Sequence, residues 1–330
     1  MKRHLTYLLL LVICPLMGWA QINTERVMAI GRNALYFEDY VLSIQYFNQV
    51  INAKPYLADP YFFRGLAKIN LDDFSGAESD CSEAIERNPF VVNAYQVRGL
   101  ARIQQDKLAD AVKDYQKALE LDPENIALWH NLALCRIRQK EYDAAKNDLD
   151  RLIIISPRYT KAYLMRGEVD LKQKDTLTAE KDFNRAIEID RYDPDTWASR
   201  GMLYLMKEQY KEAEEDLGKA IHLSVRNPGL YINRALARYH QNNLRGAMAD
   251  YDLAIDMDAN NFIGHYNRGL LRAQVGDDNR AIEDFNFVIE MEPDNMMAIF
   301  NRGLLLDQTG DLRGAIKDYT RVLEEYPNFL

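Results

Sequence analysis

Seven arginines stand in this chain at one fixed phase, each followed 16 residues later by an aspartate: Arg64 with Asp80, Arg98 with Asp114, Arg166 with Asp182, Arg200 with Asp216, Arg234 with Asp250, Arg268 with Asp284 and Arg302 with Asp318. Neighbouring pairs are 34 residues apart, or 68 where Leu132 takes the arginine's place ahead of Asp148. A row of guanidinium groups could hold anions. A carboxylate at constant offset argues for the other use, a ladder of structural ion pairs, because each arginine then has its own counter-charge. Arg136 is the natural partner for Asp148.

The other reactive residues do not assemble into a centre. His130, His222, His240 and His265 fall at four unlike phases of the same period, and no two have metal-ligand spacing. HExxH, GxSxG, P-loop, GxGxxG and CxxC patterns are all missing. Asp256, Asp258 and Asn260 resemble the start of a calcium loop, but Asn261 replaces its glycine and Asn267 its bidentate acid. Cys81 and Cys135 are separated by too many helix layers to be joined. No cofactor and no metal are expected, and the chain does not read as an enzyme.

What positions the arginines is the 34-residue period itself. Its small residues are Gly31, Gly65, Gly99, Ala133, Gly167, Gly201, Ala235, Gly269 and Gly303, each followed by Ser or Ala 12 residues later. Copies begin at residues 24, 58, 92, 126, 160, 194, 228, 262 and 296, and the ninth ends at 329. In each, positions 2–14 and 17–30 carry apolar residues at helical spacing. Polar turns such as Leu71-Asp72-Asp73 lie between them, and Asn88-Pro89, Asp122-Pro123 or Glu292-Pro293 breaks the second segment. Each copy is therefore a helix–turn–helix hairpin, giving about eighteen helices and no strand. If the turn is centred between positions 15 and 16, position numbers summing to 31 lie level across the hairpin. Position 7 and position 23, the Arg and the Asp, then face each other within one residue.

These copies resemble tetratricopeptide repeats, whose pattern is an aromatic at position 4, small residues at 8, 20 and 27, a large apolar residue at 24 and proline at 32. Tyr61, Tyr95 and Trp197 supply position 4; Phe47, Tyr115 and Phe183 supply position 24; Pro89 and Pro123 supply position 32. The resemblance covers residues 24–329. His265 and Ile299 depart from it at position 4, and Arg191, Val225 and Ala259 at position 32. It implies an all-α fold, a right-handed α-solenoid (superhelix) of nine such repeats. It also implies a concave face, lined by first helices, that binds extended peptides or a partner's helix. Position 5 would contribute Phe62, Gln96, His130 and Tyr266; position 9, Leu66, Leu100, Leu134 and Met202; position 13, Asn70, Gln104, Arg138, Lys172, Met206, His240 and Gln274. The family's clamp for chaperone tails needs Lys at 5 and Asn at 9, where residues such as Phe62 and Leu66 stand, so that activity is not implied.

Residues 1–20 read as an export signal: a basic Lys2-Arg3-His4, an apolar run and a small-x-small site at Gly18-Trp19-Ala20. The alternative is a retained anchor, for which the run is short. Cleavage removes Lys2 and Arg3 and no acid, taking the net charge from −9 to −11. That field disfavours nucleic acid and anionic lipid. Expected is a non-catalytic scaffold in the periplasm or outside the cell, with association with the envelope as an option and no stable membrane span after cleavage. In a chain of 330 residues the uninterrupted period argues for one elongated array, not two ordinary domains. Its partners would be other proteins in the groove. Ile316, Val322 and Leu323 on the last helix are expected to be partly uncovered and to support self-association through that end. A structural component of an envelope assembly, or a regulatory subunit of an envelope enzyme or secretion machine, are the other readings.

Overall fold

The computed structural model describes residues 23–327; residues 1–22, which include the segment read as an export signal, and residues 328–330 lie outside them. Every regular element among the described residues is helical. The first helices of the repeats are α1 (Thr24–Tyr36), α3 (Asp59–Ile69), α5 (Val92–Gln104), α7 (Ile126–Arg138), α9 (Thr160–Lys172), α11 (Pro194–Met206), α13 (Pro228–His240), α15 (Phe262–Gln274) and α17 (Met296–Thr309). The second helices are α2 (Tyr40–Ala53), α4 (Phe74–Arg87), α6 (Leu108–Leu121), α8 (Tyr142–Ile155), α10 (Thr176–Ile189), α12 (Tyr210–Leu223), α14 (Leu244–Met257), α16 (Asp278–Met291) and α18 (Leu312–Glu325).

Side-chain caps set both kinds of start. Asp39, Asp73, Asp175, Asn243 and Asp311 accept from backbone N–H groups in the first turn of a second helix. Asn125, Asp193, Asn227, Asn261 and Asn295 do the same for first helices. The turn inside every hairpin passes through a left-handed residue at position 15. Gly276 and Gly310 fill it in two repeats, and Glu38, Asp72, Asp106, Lys140, Lys174, Glu208 and Asn242 in the other seven. Side chains there cost of order 1–2 kcal/mol each, which the hairpin packing outweighs.

Hairpin closure rests on the small residue at position 8. A methyl group added at Gly167 would meet the Phe183 ring at 2.6 Å, and one at Gly99 would meet Tyr115 at 2.8 Å. The glycine thus opens space for the position-24 side chain, one step beyond the level predicted by simple hairpin geometry. Phe47, Phe183, Phe285 and Leu217 fill that space and are fully buried. At position 4 the aromatic pins the turn that precedes it. Trp129 Nε1 donates to the Pro123 carbonyl at 2.8 Å, Trp197 Nε1 to Arg191 at 2.8 Å, and Tyr163 Oη to Pro157 at 3.1 Å. His265, the departure from the pattern, keeps the position-4 role by stacking on Phe287 and reaching the Ala259 carbonyl.

The chain divides into two compact units, up to Asp148 and from Leu149, where a single array was expected. The division falls inside α8, so no linker marks it in the sequence. From α1 to α7 in one unit and from α9 to α18 in the other, each helix packs on the next, and successive first helices also touch: α3 with α5 in one unit, α9 with α11 and α11 with α13 in the other. Among the described residues no two second helices are in comparable contact. First helices therefore form the tighter layer of each unit.

Candidate functional site

The arginines and aspartates of the repeating register meet. Arg64, Arg166, Arg200, Arg234, Arg268 and Arg302 each donate Nε and Nη2 to the two oxygens of the facing aspartate, at 2.5–3.1 Å. Arg98 binds Asp114 through the same two nitrogens, with the Nη2 contact at 2.6 Å. The acids are almost fully buried, Asp250 at 1% exposure and Asp114 at 2%. Buried carboxylates held by a fork of charge-assisted bonds are structural ion pairs, not an open row of anion donors.

Two features of the ladder escaped the repeat pattern. A second cation at position 11 reaches the same acid: Arg102 to Asp114, Arg238 to Asp250 and Arg272 to Asp284, all at 2.8 Å, and Lys68 to Asp80 at 2.9 Å. The free Nη1 of the position-7 arginine crosses to position 25 of the preceding repeat. Arg64 reaches Asn48, Arg98 reaches Ser82, Arg200 reaches Asn184, Arg268 reaches Asp252 and Arg302 reaches Asn286; Arg166 does the same with Asp150. The ladder therefore closes the seven hairpins that carry the arginine and ties six of them to their predecessors; Arg234 faces Gly218, which offers no side chain. Glu78 adds a further tie by accepting from Arg102, Gln105 and Lys107 of the next repeat. Burial opposes its ionisation, yet those donors hold its carboxyl below the ordinary glutamate value.

Asp148 is the exception. Leu132 is buried in the apolar core, and Arg136 serves the acid through the single nitrogen Nη1, at 2.7 Å to both oxygens. Burial raises the Asp148 carboxyl to about 6, and Arg136 offsets only part of this. The folded value lies above the unfolded one, so ionised Asp148 weighs against folding. Its contribution is most favourable below pH 4 and declines as pH rises through 6, by on the order of 3 kcal/mol. The melting-temperature difference between the natural chain and Asp148→Asn should therefore shrink or reverse between pH 4.5 and 7. A difference independent of pH would contradict this.

The tighter layer of first helices carries the candidate contact residues. Position 13 is exposed in all nine repeats: Asn70, Gln104, Arg138, Lys172, Met206, His240 and Gln274 among them. Position 9 is apolar and partly open: Leu134, Met202, Leu270 and Leu304 keep 37–39% of their surface in solvent, and Leu66 and Leu100 less. At position 5, Gln96, His130 and Tyr266 are half-buried, with the Tyr266 hydroxyl accepting from Asn301. Phe62 is a correction. It is 9% exposed and packs among Tyr61, Ala94 and Val97, because position 5 points into the seam between successive first helices. Val322 is another, at 1% exposure, since position 27 faces the hairpin interior; Ile316 and Leu323 on the same helix are open.

Among the described residues, Cys81 and Cys135 are buried and free, and burial pushes their thiols up, Cys81 to about 12 and Cys135 to about 11. Such thiols are poor nucleophiles. No group of three or more ligating side chains could hold a metal ion among the described residues. No helix among them is long and apolar enough to cross a membrane.

A family model described as "Tetratricopeptide repeat" matches residues 130–194, 199–262 and 266–328, and one described as "TPR repeat" matches 99–136. No curated protein gives a match. Among solved structures, the chain is similar to one described as the APC/C hetero-tetramer Cut9-Hcn1, with TM-score 0.60 and 16% identity over 81% of this chain; it spans 52% of that one. It is similar to a tetratricopeptide repeat protein from Parabacteroides merdae, with TM-score 0.60 and 22% identity over 76% of this chain and 98% of the other. Pseudomonas aeruginosa pilF aligns with TM-score 0.56 and 17% identity over 66% of this chain and 97% of its own. At these identities the likeness is one of fold.

Proposed function

The chain belongs to the tetratricopeptide repeat family, a scaffold for protein–protein interaction, and we propose that it holds peptide segments or helices of partner proteins against its layer of first helices, outside the cytoplasm. The observation that carries this is the pairing of exposed, mostly polar side chains at position 13 with half-open apolar ones at position 9, repeated along that layer. Amide and charged groups there suit a peptide backbone, and the apolar row suits alternate side chains or a helix face. The export reading of residues 1–20 supports the location.

A displayed library of random 12-residue peptides, selected on the full chain, tests the groove. Leu236 and Leu270 hold position 9 in repeats seven and eight, and bound peptides should weaken about tenfold or more on Leu236→Asn/Leu270→Asn, which removes apolar contact without adding charge. They should be indifferent to Lys181→Glu on α10. Equal loss on both variants, or none on the first, would count against the groove.

A second reading, self-association, is favoured by α18. Leu312, Ile316 and Leu323 on that helix are 59%, 65% and 40% exposed. Light scattering that finds only monomer at high concentration would remove it.

A further inference from the structure

Seven repeats place an apolar residue at position 9, and repeat five places Glu168 there. It lines a cavity of about 490 Å³ between α9 and α11, together with Leu171, Lys172, Ser199, Met202 and Met206. Ser199 Oγ donates to Glu168 Oε1 at 3.0 Å. Neither Lys172 nor any other cation forms an ion pair with Glu168 among the described residues. Glu168 is exposed, so a ligand at the cavity mouth can reach its carboxylate. Met202 and Met206 keep 38% and 57% of their surface in solvent beside it.

We propose that this cavity is a subsite for a basic side chain, Lys or Arg, carried on an otherwise apolar segment of the partner. The inference rests on the groove reading above. The cationic head meets Glu168, and its aliphatic stem lies along Leu171, Met202 and Met206. Long basic side chains divide themselves in this way between charge and apolar surface, and methionine adapts its shape to what it covers. Charge favours this occupant over an acidic one. The chain is net acidic, and Asp195 lies near enough to act on Glu168. The surrounding protein walls push the Glu168 carboxyl up, Asp195 adds to this, and Ser199 and Lys172 oppose it. A cation delivered by the partner relieves that cost. The seven apolar position-9 residues have no such need, so the subsite fixes the register of the bound segment.

The peptides selected on the full chain supply the probe. Lys or Arg should be enriched in them. Replacing that residue by norleucine should cost about tenfold on the natural chain and less than twofold on Glu168→Leu, which installs the residue most other repeats carry. A melt of Glu168→Leu close to that of the natural chain shows that the comparison is between folded proteins. Norleucine losses equal on both chains would overturn the subsite. So would peptides that need Leu236 and Leu270 but show no basic preference, while leaving the groove intact. Peptides indifferent to Leu236→Asn/Leu270→Asn would overturn the groove, and the subsite with it.

Discussion

Replacing Asp114 by alanine should cost about 3–5 kcal/mol of local stability, among the largest losses available from a single polar side chain in this chain. The acid takes two nitrogens of Arg98 and one of Arg102, and only 3% of its side chain reaches solvent. Its removal leaves Arg98, 16% exposed, without a counter-charge beside Arg102, 18% exposed, which keeps only Glu78. The damage should spread backwards along the chain, because Arg98 also holds Ser82 and Arg102 also holds Glu78. Repeat arrays unfold by neighbouring units and often not in one step, so amide hydrogen exchange is the suitable readout. Protection should fall in α5 and α6, and to a smaller extent in α4, while α15–α18 stay unchanged. Replacing Arg98, Arg102 and Asp114 together by Met, Met and Leu should cost less than the single substitution. A loss below about 1 kcal/mol for Asp114→Ala would contradict the ladder's role.

Phe183→Ala should be comparably severe, about 3–5 kcal/mol, because the ring is fully buried against Gly167 and its loss leaves a cavity. Gly167→Ala alone should cost about 1–3 kcal/mol by driving a methyl group into that ring. Combined, the two should lose less than the sum, since the new methyl occupies part of the cavity the ring leaves. Strict additivity in denaturant titrations would mean that position 8 does not serve to admit position 24.

Much of this was legible in the sequence because a 34-residue period averages out local accident. The glycine row, the aromatic row and the Arg–Asp offset of 16 each recur often enough to fix helix pairing. What stayed hidden has physical reasons. The left-handed residue at position 15 is Asp106 in one repeat, Lys140 in another and Glu208 in a third, and glycine marks it only at Gly276 and Gly310. Position 25 is Asn48, Ser82 or Asp252, different side chains that share only an oxygen acceptor for the next arginine. A search for acceptors, not for identities, would have found that link. Phe62 read as a contact residue because its phase is right. Its burial depends on how closely α3 and α5 approach, which a repeat pattern does not state. Glu168 was visible as a break in an apolar row, but its meaning needed the cavity with Met202 and Met206 beside it.

The claim on which the account turns is that the layer of first helices is where other proteins are held. The direct measurement places a photo-crosslinking amino acid at Gln104, His240 or Gln274 in turn, in the protein's native source, with a control at exposed Lys181 on α10. The account predicts discrete adducts with foreign chains from the three first-helix positions and none of those adducts from Lys181. Adducts only with further copies of this chain, or the same products from Lys181 as from the first helices, would contradict it.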